Sequence, residues 1–147
     1  MSESRLDYGA AAPKALAAML RTNAYLDKAS LPQILRRLVE LRVSQINKCS
    51  YCIWLHAKQA DDLGESKERI AAIEHWQNAS CFDAAERAAF AWTEAVTRIA
   101  KDTPSDALYK ALFDHFTDEQ VVDLTAAISS MNAMNRLAIS FRHEAPE

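Results

Sequence analysis

Glycine occurs only 2 times and proline only 4 times in the 147 residues of the chain. Backbone reversals that need a positive φ or a preset proline turn are therefore scarce. Alanine is abundant and helix formers dominate, so the chain reads as all-α. No strand pattern runs longer than a few residues, and there is no internal repeat and no low-complexity segment. With 50% hydrophobic and 25% charged residues, the composition is that of an ordinary globular protein. The length suits one domain over residues 1–147, with residues 1–12 as a loose arm.

Punctuation marks the helices. Pro13 opens a first helix running to about Arg21 or Tyr25. Ser30-Leu31-Pro32-Gln33 supplies a cap serine, a first-turn proline and a glutamine for the next, which carries Leu35, Leu38, Leu41 and Val43 and ends near Asn47-Lys48. Its polar positions include Arg36, Arg37, Glu40 and Arg42. A third helix starts at Cys49 and stops at Gly64, and Ser66 caps a fourth. Asp83-Ala84-Ala85-Glu86 and Thr117-Asp118-Glu119-Gln120 have the spacing of capping boxes. Each opens a long helix, the second reaching about Arg142 and apolar on most sides, so that it is buried or covered by another subunit. Pro104-Ser105-Asp106 starts a short helix between them.

The formal net charge is -3, with no basic run and no acidic tail. That composition invites neither nucleic acid nor an anionic membrane surface. No stretch is long and apolar enough to span a bilayer, and the mixed charges at the N-terminus do not form a signal peptide. The expected location is the cytoplasm. There, paired cysteines belong to redox chemistry or metal binding rather than to a structural disulfide framework.

One stretch concentrates the reactive side chains: Lys48-Cys49-Ser50-Tyr51-Cys52-Ile53-Trp54-Leu55-His56. On a helix, Cys49 and Cys52 share a face, and His56 lies one turn beyond Cys52 on the same face. Two thiols so placed can close a disulfide, and the imidazole can take a proton. The start of a helix and the charge of Lys48 favour a thiolate. Four readings compete. A peroxide-reducing or disulfide-exchanging centre uses both thiols and the histidine. A thioredoxin-type domain needs a strand leading into the Cys-x-x-Cys, and none is present. A zinc site could draw on Cys49, Cys52, His56 and either His75 or Cys81, but no second ligand pair follows. The fourth is two buried cysteines and a satisfied core histidine.

The run from Leu38 to His56 resembles the core motif of the alkylhydroperoxidase D-like, carboxymuconolactone decarboxylase superfamily. Glu86 to Ala95 with Thr97 is similar to the second helical segment of that family, and Ile128 to Leu137 resembles its last helix. The resemblance covers most of the chain, from about Leu16 to Phe141. It implies an all-α fold of about six helices that assembles into homotrimers or hexamers, and thiol peroxidase activity without haem, metal or other cofactor. It makes Cys52 the peroxide-attacking cysteine, Cys49 the resolving one and His56 part of a proton relay. The implied partners are a small hydroperoxide and a thiol or dithiol reductant, with a peroxiredoxin as one candidate. One departure stands out. The glutamate that usually begins the relay, twelve positions before the first cysteine, is here Arg37. Glu40, one turn on, is the candidate to replace it, with Glu86 and Glu94 as alternatives. The family's lactone decarboxylases work without the thiol pair, so the motif argues against a lyase. A non-catalytic dithiol sensor or zinc clip is the rival from another class.

Elsewhere the sequence points to packing. Trp54, Trp76 and Trp92 suit a core or a subunit contact, Asn132 and Asn135 need hydrogen-bond partners inside the core or across an interface, and Cys81 reads as an incidental half-buried thiol.

Overall fold

The computed structural model describes residues 3–147, and every regular element among them is helical. The described residues form eight α-helices: α1 (Tyr8–Ala11), α2 (Pro13–Leu26), α3 (Gln33–Asn47), α4 (Ser50–Asp62), α5 (Lys67–Ala72), α6 (Ala84–Thr97), α7 (Asp106–Leu112) and α8 (Asp118–Phe141). A 3-10 helix, Ile73–Asn78, follows α5 directly. The all-α expectation holds, with more and shorter helices than the six expected. No described helix is long and apolar enough to cross a membrane.

The caps sit where the sequence puts them. Asp83 and Thr117 each accept from the backbone N–H three residues on, and Glu86 and Gln120 return the bond. Gly64, at φ 93°, ends α4 in the left-handed region. A second tight reversal has no glycine. Lys48 takes φ 58° and ψ 41°, and the Cys49 N–H reaches back to the Ser44 carbonyl at 3.0 Å. This left-handed residue stops α3 and lets α4 start two residues later, so the two helices turn back on each other.

α3 is the centre of the molecule and packs against α4, α6 and α8. Leu38, Val39, Leu41 and Val43 are completely buried there, with Phe90 of α6 and Leu124 and Ile128 of α8. A polar seam crosses this core. Asn47 Nδ2 donates to Asn132 Oδ1 and Asn135 Oδ1 at 2.9 and 3.0 Å, and Asn135 Nδ2 donates to Ser44 Oγ at 3.2 Å. The two asparagines of α8 are thus paired, as a buried amide must be.

Three expectations need correction. The segment expected as a loose arm carries the short helix α1 and is tied to α8, while Met1 and Ser2 lie outside the described residues. Asp7 caps α1, and the Arg5 N–H donates to the Phe141 carbonyl at 3.0 Å, pinning the arm to the end of α8. Arg36 was assigned to the polar side of α3, yet it is 0% exposed. Cys81 was expected half-buried and is exposed.

Candidate functional site

The junction of α3 and α4 builds the site. Cys49 has extended backbone and serves as the N-cap of α4, its Sγ accepting from the Cys52 N–H at 3.4 Å. Cys52 lies in the first turn. The two are paired as a disulfide, with Cα atoms 5.3 Å apart. Both are buried, so the pair is set into the protein rather than displayed on it. His56 follows one turn later on the same face, also buried.

α3 supplies the other wall. Glu40 is only 3% exposed, and its Oε2 lies 3.1 Å from His56 Nδ1. The contact is short, but the ring N–H is not well aligned with the oxygen. Two arginines hold the same carboxylate. Arg36 Nε donates to Oε1 at 2.8 Å, and Arg37 Nη1 donates to Oε2 at 2.9 Å. Arg36 Nη1 also donates to Asp27 Oδ1 at 2.6 Å. Burial pushes the Glu40 carboxyl up. The His56 contact and the charges of His56, Arg36 and Arg37 outweigh it and bring the pKa down to about 2. Glu40 is therefore an ionised group throughout the physiological range, fit to orient an imidazole.

A cavity of about 410 Å³ runs over these groups. Cys52, His56 and Glu40 line it, and Cys49 does not. Tyr51 lines it too, its ring 4.1 Å from that of His143 on the C-terminal tail. Tyr8 of the N-terminal segment, Leu16 and Leu20 of α2, and Met131 and Met134 of α8 close the other side. The size falls within the range of small-molecule sites.

The four sequence candidates, Cys49, Cys52, His56 and Glu40, thus meet in one place. Glu40 is not a solvated surface charge. The alternative carboxylates lie elsewhere: Glu86 pairs with Arg69, and Glu94 with Arg42. Arg37, at the position where the relay glutamate was expected, instead grips Glu40. Sequence reasoning missed three residues. Arg36 had a signal, because it stands four residues before Glu40 on one helix face. Gln59 had one too, since it stands one turn beyond His56 on the same face of α4, whereas Tyr8 reaches the cavity without any sequence cue. Among the described residues, no three His, Cys, Asp or Glu side chains are grouped as a metal site, so the zinc reading lacks a ligand cage.

A family model described as carboxymuconolactone decarboxylase family matches residues 11–95. The uncharacterized protein YdfG of Bacillus subtilis (strain 168) is 32% identical over 141 residues, 96% of each chain. The crystal structure of ATU0492 from Agrobacterium tumefaciens, a protein of unknown function suggested to be the antioxidant defence protein AhpD, is 33% identical. It covers 99% of both chains with a TM-score of 0.95. The debrominase Bmp8, crystallised with 2,3,4-tribromopyrrole, is 18% identical and covers 93% of this chain and 73% of its own, with a TM-score of 0.83. That last likeness is one of fold alone.

Proposed function

The chain belongs to the AhpD-like, carboxymuconolactone decarboxylase family, and on that premise we propose that it is a thiol-dependent peroxidase acting through a Cys49–Cys52 dithiol/disulfide cycle. The observation that carries this reading is the asymmetry of the two sulfurs: Cys52 lines the cavity with His56 and Glu40, and Cys49 is buried and does not line it. A substrate in the cavity meets Cys52 first.

The steps balance with the side chains at hand. The Cys52 thiolate attacks the terminal oxygen of a hydroperoxide. An S–O bond forms, the O–O bond breaks, and the departing alkoxide takes a proton from His56. Glu40 stabilises the imidazolium before transfer and holds the ring in place. Cys52 is now a sulfenic acid. Cys49 attacks its sulfur, the S–O bond breaks, water leaves with the Cys49 proton, and the disulfide closes. The two thiols have supplied two electrons. An external thiol or dithiol, such as that of a peroxiredoxin-type partner, returns the pair to the reduced state. This cycle suits a reducing compartment, and we place it in the cytoplasm. The resemblance implies that it runs in a homotrimer or hexamer.

The test is a thiol count. Reduced protein has three free thiols, Cys49, Cys52 and Cys81. One equivalent of an alkyl hydroperoxide is expected to remove two of them. Cys49→Ser should stop at a trappable sulfenic acid, and Cys52→Ser should lose no thiol. Retention of all three thiols in folded wild-type protein refutes the reading.

A further inference from the structure

Beside the cysteines, the N-terminal arm and the C-terminal tail meet over the cavity. Tyr51 stands between Cys49 and Cys52 in the chain and lines the cavity. Its ring lies 4.1 Å from that of His143, edge to face. The same His143 ring lies 5.8 Å from that of Tyr8, which also lines the cavity. One imidazole of the tail thus bridges two tyrosines of the cavity wall. Phe141 adds a further ring contact, 5.7 Å from Tyr8. Burial first, and then the neighbouring Tyr51 and Asp7, hold the Tyr8 phenol above its ordinary range, so its hydroxyl is partly out of water and close to Tyr51.

The arm that carries Tyr8 is lightly held. No residue of α1 is buried, and residues 3–7 are exposed. Two bonds tie it to α8: the Arg5 N–H donates to the Phe141 carbonyl at 3.0 Å, and Arg5 Nη1 donates to the Ser140 carbonyl at 3.2 Å. Arg5 is exposed, so water competes for both. An element with so little apolar burial opens far more readily than the core it leans on. Cys52, by contrast, is only 4% exposed, and the cavity is its approach. Tyr8 is therefore a piece of the cavity wall that can swing aside without unpacking α3, α4 or α8.

We propose that Tyr8 is a gate over Cys52, latched by Arg5 and His143, and that it selects by size what reaches the sulfur. Small molecules enter with the arm in place; bulky or long-chain ones enter only when it lifts. The consequence for turnover, a preference for small hydroperoxides over long-chain ones, rests on the peroxidase reading. The gate itself does not.

Thiol labelling tests the gate without any peroxide. Reduced Cys81→Ser protein is labelled with iodoacetamide or with a bulky fluorescein maleimide, and the adduct on Cys52 is followed by peptide mass spectrometry. Each rate is divided by the rate of that reagent on free cysteine. The bulky reagent is expected to be slowed about tenfold or more beyond the small one, the worth of a hydrogen bond that must break first. Tyr8→Ala removes the gate. Arg5→Pro removes the amide donor of the latch and leaves the cavity lining intact. Each, checked for an unchanged circular dichroism spectrum, should speed the bulky reagent about fivefold or more and the small one less than about twofold. Equal relative rates in the unsubstituted arm, or a bulky reagent that stays slow in both variants, overturn the gate.

Turnover then tests the size preference. In the same two variants, kcat/KM for a long-chain lipid hydroperoxide should rise about fivefold or more relative to hydrogen peroxide. If labelling is gated and no peroxide consumes the thiols, the peroxidase reading fails and the gate stands. If peroxide consumes the thiols and labelling is not gated, the gate fails and the peroxidase stands. If labelling is gated but the peroxide preference does not move, the size preference is overturned.

Discussion

α3 carries two arginine–glutamate clusters, and they differ in what they leave over. At Arg42 the cluster is closed. Arg42 Nε and Nη2 donate to Glu94 Oε1 of α6 at 2.9 and 2.7 Å, and Trp76 Nε1 donates to the same oxygen at 3.0 Å. Gln77 and Arg98 take the remaining oxygen. At Arg36 and Arg37 the cluster is more deeply buried and open. It ends on His56 at one side and keeps unpaired donors at the other. The same residue types thus do two jobs. Saturated at the edge of the core, an ion pair joins helices; beside a cavity, it holds a titratable ring. Which job it does depends on burial and on the neighbours, not on the pair itself.

The sharpest way to break this contrast is to neutralise each glutamate in turn. Glu40→Gln is expected to slow peroxide-dependent thiol loss by about 100-fold or more, as removal of a group that orients a proton donor does. Glu94→Gln should stay within about threefold of wild type, since it touches no group of the cavity. Stopped-flow thiol oxidation measures both, and equal losses would erase the distinction.

Stability should separate the clusters next. Glu40→Gln leaves Arg36 and Arg37 without their shared carboxylate and should cost about 3–5 kcal/mol in urea unfolding. Glu94→Gln keeps an acceptor, lies nearer to solvent, and should cost about 1–2 kcal/mol.

The pH dependence sharpens the point. The Glu40 carboxyl is lowered from 4.5 to about 2, worth roughly 3 kcal/mol at about 1.36 kcal/mol per pH unit. A carboxyl depressed on folding stabilises the protein above its unfolded pKa. This contribution is complete above about pH 4.5 and is lost as the pH falls from there toward 2. Urea midpoints from pH 7 to pH 2 should show that loss in wild type and its absence in Glu40→Gln.

The smallest effect is a control at the turn between α3 and α4. Lys48 is exposed and sits at φ 58°, where a β-carbon is unfavourable. Lys48→Gly should stabilise the protein by about 0.5–1 kcal/mol in the same unfolding assay.

Much of this was legible from local pattern. The capping boxes at Asp83 and Thr117 and the stop at Gly64 act within a few residues, so the sequence displays them. Helical spacing alone puts Cys52 and His56 on one face. Glu40 was legible only as a candidate, because spacing gives a face of α3 without saying what covers it. Arg36 was misread as polar surface for that reason. An arginine at a helical position looks solvated until a buried carboxylate one turn on and a carboxylate from the preceding segment meet it. The arm containing Tyr8 gave no cue at all, since its anchor is the Phe141 carbonyl 136 residues away.

The sequence by itself determined an all-helical chain with two thiols and an imidazole stacked on the start of one helix, because capping, glycine scarcity and 3.6-residue periodicity are short-range effects. Only the tertiary structure decided that Cys52 and not Cys49 meets the cavity, that Glu40 faces His56, and that two arginines hold Glu40. Those outcomes depend on which helix faces come together. Burial, which turns a surface charge into a low-pKa carboxylate, exists only after the helices have packed.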